Sequence, residues 1–151
     1  MGGSIGSSGL IVPDASVVVK WFLGDEDDVD RALAIRGAIL AERLRALAPS
    51  SLPWEFAQAL IRASRRGRLD ETRIEGAIGA LGDFGIDLLA PWRLEGVSAA
   101  LALRLGVSIY DAGYLAAARE SGATLVTADR LQRSAALQVE VDVAWLGDVP
   151  L

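Results

Sequence analysis

The chain has 151 residues, 52% of them hydrophobic and 23% charged, which fits one domain with a full core and is too apolar for disorder. Cysteine, histidine and asparagine are absent. That excludes disulfides, cysteine nucleophiles, thiolate or imidazole zinc sites and every histidine-based acid–base device. The net charge is −5, and Lys20 is the one lysine beside fourteen arginines, so a polyanion would have to be held by a local Arg patch or bound cations rather than by bulk charge.

Residues 1–8 are Gly/Ser-rich and read as a disordered head or an expression remnant, with a single domain over 9–151. They lack the basic-then-apolar layout of a signal peptide. No apolar run reaches the ~18 residues of a membrane span, and the lack of cysteine fits the cytoplasm. Leu10-Ile11-Val12, closed by Pro13, is a short buried strand. Ser16–Leu23 reads as a short helix capped by Ser16. Val29–Leu47 has apolar residues near a 3.6 period and reads as a helix, with Leu47–Ser50 as a minimal strand. Pro53 opens a helix that runs to about Arg66 and stops at Gly67. Another helix spans Asp70 to Asp83, Ile86–Ala90 is a strand, and Leu94–Leu105 is a helix ended by Gly106. Val107–Tyr110 reads as a strand, Ala112–Glu120 as a helix, and Thr124–Thr127 as a strand. A short helix follows Asp129, and Val139–Val143 is a candidate edge strand. Strands alternating with helices predict a three-layer α/β/α domain with a mostly parallel central sheet. In such a sheet, ligands bind beyond the C-terminal ends of the strands.

On this reading three strands end in an aspartate: Asp14, Asp111 and Asp129. Glu55, in the first turn of the helix after the Leu47–Ser50 segment, faces the same edge. Any one of these acids could be only a helix cap. Four on one edge point further, because clustered carboxylates repel unless helix N-termini and a cation offset them. With no His or Cys, the ligands are hard oxygens, which select Mg²⁺ or Mn²⁺.

The segments Asp14-Ala15-Ser16, Pro53-Trp54-Glu55, Ser108-Ile109-Tyr110-Asp111-Ala112 and Thr127-Ala128-Asp129-Arg130 resemble the PIN-domain family, and within it the VapC-like toxins of toxin–antitoxin pairs. The likeness spans Leu10 to Leu146. It implies a PIN-like fold and a Mg²⁺- or Mn²⁺-dependent endoribonuclease whose acidic quartet is Asp14, Glu55, Asp111 and Asp129. It also implies RNA cleavage to a 5′-phosphate and a 3′-hydroxyl, a homodimer, and inhibition by a cognate antitoxin. Two other functions compete: a catalytically silent acidic module that binds a basic peptide, and an aspartyl-phosphate hydrolase with Asp14 as nucleophile. The second usually wants another acid two residues on, where this chain has Ser16.

Ser16 is either the helix cap or a hydroxyl that orients a water or phosphate, and Thr127 stands in the same relation to Asp129. The helix from Pro53 carries Trp54, Ala57 and Ile61 on one face and Glu55, Gln58, Arg62 and Arg66 on the other. Arg62 and Arg66, with Arg65 and Arg68 close by, are either a solvated face or a lip that holds the RNA backbone. Gly76, Gly79 and Gly82 either weaken their helix or admit a close neighbour, such as a second copy. The four tryptophans read as core or interface.

Overall fold

The computed structural model describes residues 4–150. Five strands, β1 (Leu10–Pro13), β2 (Arg45–Pro49), β3 (Ile86–Leu89), β4 (Thr124–Thr127) and β5 (Val143–Trp145), form one sheet in the order β3-β2-β1-β4-β5. Every neighbouring pair is parallel. The helices are α1 (Ala15–Val18), α2 (Val29–Leu40), α3 (Leu52–Arg65), α4 (Ile74–Gly82), α5 (Glu95–Leu105), α6 (Ile109–Ser121) and α7 (Arg130–Gln138). All four residues of β4 are buried, and so are the last three of β1. The centre of the sheet is therefore covered on both faces, as parallel strands require. Because the strands are parallel, their C-terminal ends and the N-termini of α1, α3 and α7 meet at one edge.

Several local expectations are corrected. Val107 and Ser108 are not a strand. Ser108 is the N-cap of α6, its Oγ accepting from the backbone N–H of Asp111 (3.1 Å), so Asp111 sits in the first turn of a helix. The Val29–Leu47 helix ends at Leu40, and Leu47 belongs to β2. Ala46 to Pro49 is a continuous buried run, and burial on both faces overrides the helical spacing of Leu44 and Leu47. Helix α1 is capped by Asp14, not Ser16. The last strand is Val143–Trp145, not Val139–Val143. Before β1, Ile5 packs against the core and Gly6 N–H donates to Thr124 Oγ1 (3.1 Å). The expected head over residues 1–8 falls in part on residues 1–3, which lie outside the described residues.

Helix α3 buries Leu52, Phe56, Leu60 and Ala63, a spacing of three and four that makes one apolar stripe. Trp54 is off that stripe and 81% exposed, and Trp92 is also exposed. Of the tryptophans, Trp21 is fully in the core, its Nε1–H donating to Ala32 O (2.9 Å). The three glycines of α4 have open space beside them, so none of the described residues packs closely there.

Candidate active site

A cleft of about 700 Å³ opens at the C-terminal edge of the sheet, and Asp14, Ser16, Glu55, Arg62, Asp111 and Asp129 all line it. The four acids come from four different elements, separated by up to 115 residues in sequence. The fold alone brings them together.

Asp14 directly follows β1 as the N-cap of α1 and is 4% exposed. Its Oδ1 accepts from Ser16 N–H (3.1 Å) and from the Ser16 hydroxyl, and its Oδ2 accepts from Thr127 Oγ1 (2.6 Å). Each hydroxyl is itself fixed from behind. Ser16 Oγ accepts from Ala128 N–H (2.9 Å), and Thr127 Oγ1 accepts from Asp129 N–H (3.0 Å). Two hydroxyls thus tie the end of β1 to the turn after β4. Burial still dominates, and the Asp14 carboxyl is pushed up to about 6, with the nearby Asp129 charge adding to the rise.

Glu55 lies in the first turn of α3 and accepts from Ser51 Oγ (3.3 Å). Burial pushes it up to about 7, the Tyr114 and Ser51 hydroxyls pull it down, and the charges of Asp111 and Asp14 push it further up. Asp111 is half-buried and raised by burial, with Asp129 adding to the rise. Asp129 is exposed and caps α7, its Oδ1 accepting from Leu131 N–H (2.8 Å) and Gln132 N–H (3.3 Å). Capping is thus part of what Asp14 and Asp129 do. It does not account for Glu55 or Asp111, which have helical positions inside the first turn.

Two further residues belong to this cluster and were not read from the sequence. Tyr114 lines the cleft and is 1% exposed; its hydroxyl is near enough to Glu55 to lower that carboxyl, yet among the described residues it makes no hydrogen bond of ordinary geometry. Burial and the surrounding charges of Glu55, Asp14 and Asp111 hold that phenol well above its ordinary value, so it stays a donor. Its position one turn after Asp111 on α6 was the available signal. Gln132 is buried, and its Nε2 donates to the backbone carbonyl of Asp111 (3.0 Å), fastening α7 to the first turn of α6.

The arginine expectation divides. Arg62 lines the cleft, and Arg66 is an exposed residue at the end of α3 that does not line it. Arg68 is already engaged by Asp25 Oδ2 (2.8 Å) and Glu26 Oε1 (2.6 Å), so it is no free phosphate ligand. Trp54, read as core or interface, is not in the core and lines the cleft.

The donor set suits a hard divalent cation. All the candidate ligands are oxygens, and three of the carboxylates are raised by burial and mutual charge. Among the described residues no three acids stand as a ready-made metal trio. Mg²⁺ does not need one, since it is usually held by one or two carboxylates with waters and phosphate oxygens completing its shell.

The acidic cleft thus stands at the head of a parallel α/β sheet. The family model for the PIN domain matches residues 11–137, and the chain belongs to that family. It is 32% identical over 124 residues to Ribonuclease VapC3 of Pyrobaculum aerophilum, covering 80% of this chain and 89% of that protein. The crystal structure of PAE2754 from Pyrobaculum aerophilum superposes with a TM-score of 0.62 at 24% identity, over 83% of this chain and 84% of that one. VapBC-1 from nontypeable Haemophilus influenzae shares the fold at a TM-score of 0.55 and 15% identity, over 92% and 99% of the two chains.

Proposed function

We propose that this PIN domain is a metal-dependent endoribonuclease, the toxin of a VapBC-type toxin–antitoxin pair. The observation that carries the reading is the meeting of Asp14, Glu55, Asp111 and Asp129 in one cleft, with Asp14 and Glu55 pushed up to about 6 and about 7. The relative Ribonuclease VapC3 supports it. Asp14, Asp111 and Asp129 would hold Mg²⁺ or Mn²⁺. When bound, the cation polarises a phosphate oxygen and makes a water acidic enough to attack at neutral pH.

The protein's own groups do the rest. Ser16 and Thr127 spend their single hydrogens on Asp14, so its two oxygens keep one orientation. Glu55, poised near neutrality, accepts the proton of the attacking water, the value a general base needs. Arg62 holds the phosphate backbone, with Arg66 a more distant contact. An aspartyl-phosphate route is disfavoured because Ser16 stands two residues after Asp14, where that chemistry usually wants a second acid. The partners in this reading are RNA, an antitoxin and a second copy of the chain in the cytoplasm. Exposed Trp92 (93%) and Leu103 (87%) supply apolar surface for association.

The test is cleavage of RNA by purified protein with Mg²⁺ or Mn²⁺ and its loss in EDTA. Undiminished cleavage in EDTA by a preparation free of contaminating nuclease overturns the metal mechanism.

A further inference from the structure

Beside the carboxylate cleft lies a smaller cavity of about 200 Å³, lined by Pro49, Leu94, Ser98, Ile109, Tyr110 and Gly113 among others. The two spaces adjoin. Tyr110 lines both, and Ser51, on the wall of the smaller one, donates to Glu55 in the larger. The small cavity has the volume of roughly seven waters. It falls below the range of pockets that take a whole ligand, so it suits a single ring system.

Its chemistry is mixed in a specific way. Pro49, Leu94 and Ile109 give apolar walls. Ser98 is 2% exposed, and its hydroxyl has no hydrogen-bond partner. An unpartnered buried hydroxyl is rare because nothing offsets its desolvation, and Ser98 is one of the residues that line the cavity. Glu95 lines the same space, its carboxylate accepting from Leu94 N–H (3.2 Å). Backbone amides hold that carboxyl below its usual range, so it stays charged. A fixed negative charge turns away a second phosphate but accepts the N–H edge of a neutral ring. Gly113 keeps the floor open, since a Cβ there would stand 3.5 Å from Pro49 Cγ and 4.0 Å from Ser98 Oγ.

We propose that this cavity receives one unstacked RNA base flanking the scissile phosphate, with Ser98 Oγ bonded to the base edge and the apolar walls against its faces. Single-stranded RNA is commonly read in this way. The proposal rests on the ribonuclease reading and adds to it a source of sequence preference.

The experiment is cleavage of a random-sequence RNA pool by wild type, Ser98→Ala and Gly113→Ala, with all cut sites sequenced. Wild type is expected to favour one or two bases at a fixed position beside the cut by about tenfold or more. Ser98→Ala should slow cleavage at the preferred sites more than at the disfavoured ones and so flatten that preference, and should melt no lower than wild type because the lost hydroxyl has no partner. Gly113→Ala should turn the preference against purines. A wild type that cuts with no base preference, or a Ser98→Ala profile identical to wild type, overturns the base subsite and leaves the ribonuclease reading standing. An unchanged profile with weakened antitoxin binding assigns the cavity to the protein partner and overturns the proposal equally. No cleavage by wild type with either cation overturns the ribonuclease reading and the subsite with it.

Discussion

Both ends of the sheet carry a cleft lined with acids, and the two are built differently. At the N-terminal ends of β2 and β3, Glu42, Asp83 and Asp87 line a space of about 540 Å³ together with Arg45. Those three acids are exposed, and Arg45 stands 3.9 Å from Asp87, an arrangement worth little energetically. At the C-terminal ends the acids are drawn inward. Asp14 is buried, Glu55 and Asp111 are partly so, and all three carboxyls are raised. The difference comes from direction in the chain. Helices begin at the C-terminal edge, so free N–H groups and a positive dipole end are available to hold a buried carboxylate there. At the other edge there is only water and a counter-charge. Acidity alone does not make a site. Burial against a scaffold of donors does.

The contrast can be broken most directly by paired substitutions. Asp111→Asn should lower RNA cleavage by at least about 100-fold, the scale of losing one electrostatic contact in a transition state, and should shrink the thermal shift given by Mg²⁺. Asp87→Asn at the opposite end should change neither. An Asp111→Asn protein that still cuts and keeps the full Mg²⁺ shift would make that residue a mere helix-turn acid.

A second effect concerns pH. In the metal-free protein Asp14 is raised from 3.8 to about 6 and Glu55 from 4.5 to about 7. The folded state therefore binds these protons more tightly than the unfolded chain. Stability from these groups is full below their ordinary values and is lost as pH climbs through about 6 and 7. The Asp14 contribution is on the order of 3 kcal/mol, and that of the partly exposed Glu55 is smaller. Denaturant melts in EDTA at pH 5 and pH 8 should show Glu55→Gln losing less stability over that interval than wild type. Equal losses would show that Glu55 is not held up by its surroundings.

Arg62 and Arg66 offer a finer test, since only Arg62 lines the cleft. Arg62→Ala should reduce the salt slope of RNA binding by about one, the value of a single phosphate contact, and Arg66→Ala should leave it nearly unchanged. Identical slopes in both variants would return Arg62 to the solvated face. The smallest expected change is in Tyr114→Phe. Among the described residues its hydroxyl makes no hydrogen bond of ordinary geometry, so stability should move by less than about 1 kcal/mol. Cleavage should fall several-fold, because the donor facing Glu55 is gone. A stability loss well beyond that would place Tyr114 in the packing and not in the cleft.

The strand–acid–helix rhythm at Asp14 and at Asp129 was legible because buried parallel strands are short apolar runs, and an aspartate after such a run is also a helix cap. The Asp111 segment was harder. Val107-Ser108-Ile109-Tyr110 has the β-branched and aromatic content of a strand, yet Ser108 with an acid three residues on is a helix-start signature, and the cap prevails. Its placement at the edge was right for a different reason than the one read from the chain. Of the two readings of Trp54, core or interface, the core one fails because periodicity finds a stripe without saying which stripe faces the core, and the buried one runs through Phe56 and Leu60. Gln132 and Arg68 meet partners 21 to 43 residues away, which no local pattern carries, and Tyr114 had only its place one turn after Asp111 as a signal.

The hydroxyl ties between Asp14 and the turn after β4 have a consequence for how the protein is made. Asp14 and Thr127 are 113 residues apart. β1 sits at the centre of the sheet and pairs with β4. During synthesis at about 5–20 residues per second, the first acid leaves the ribosome roughly six to twenty seconds before its partner strand. Until β4 arrives, the central strand has an open edge and Asp14 has no Thr127 beside it. The cleft is therefore among the last features to form, and a nascent fragment carries its acids without the geometry that would make them act together.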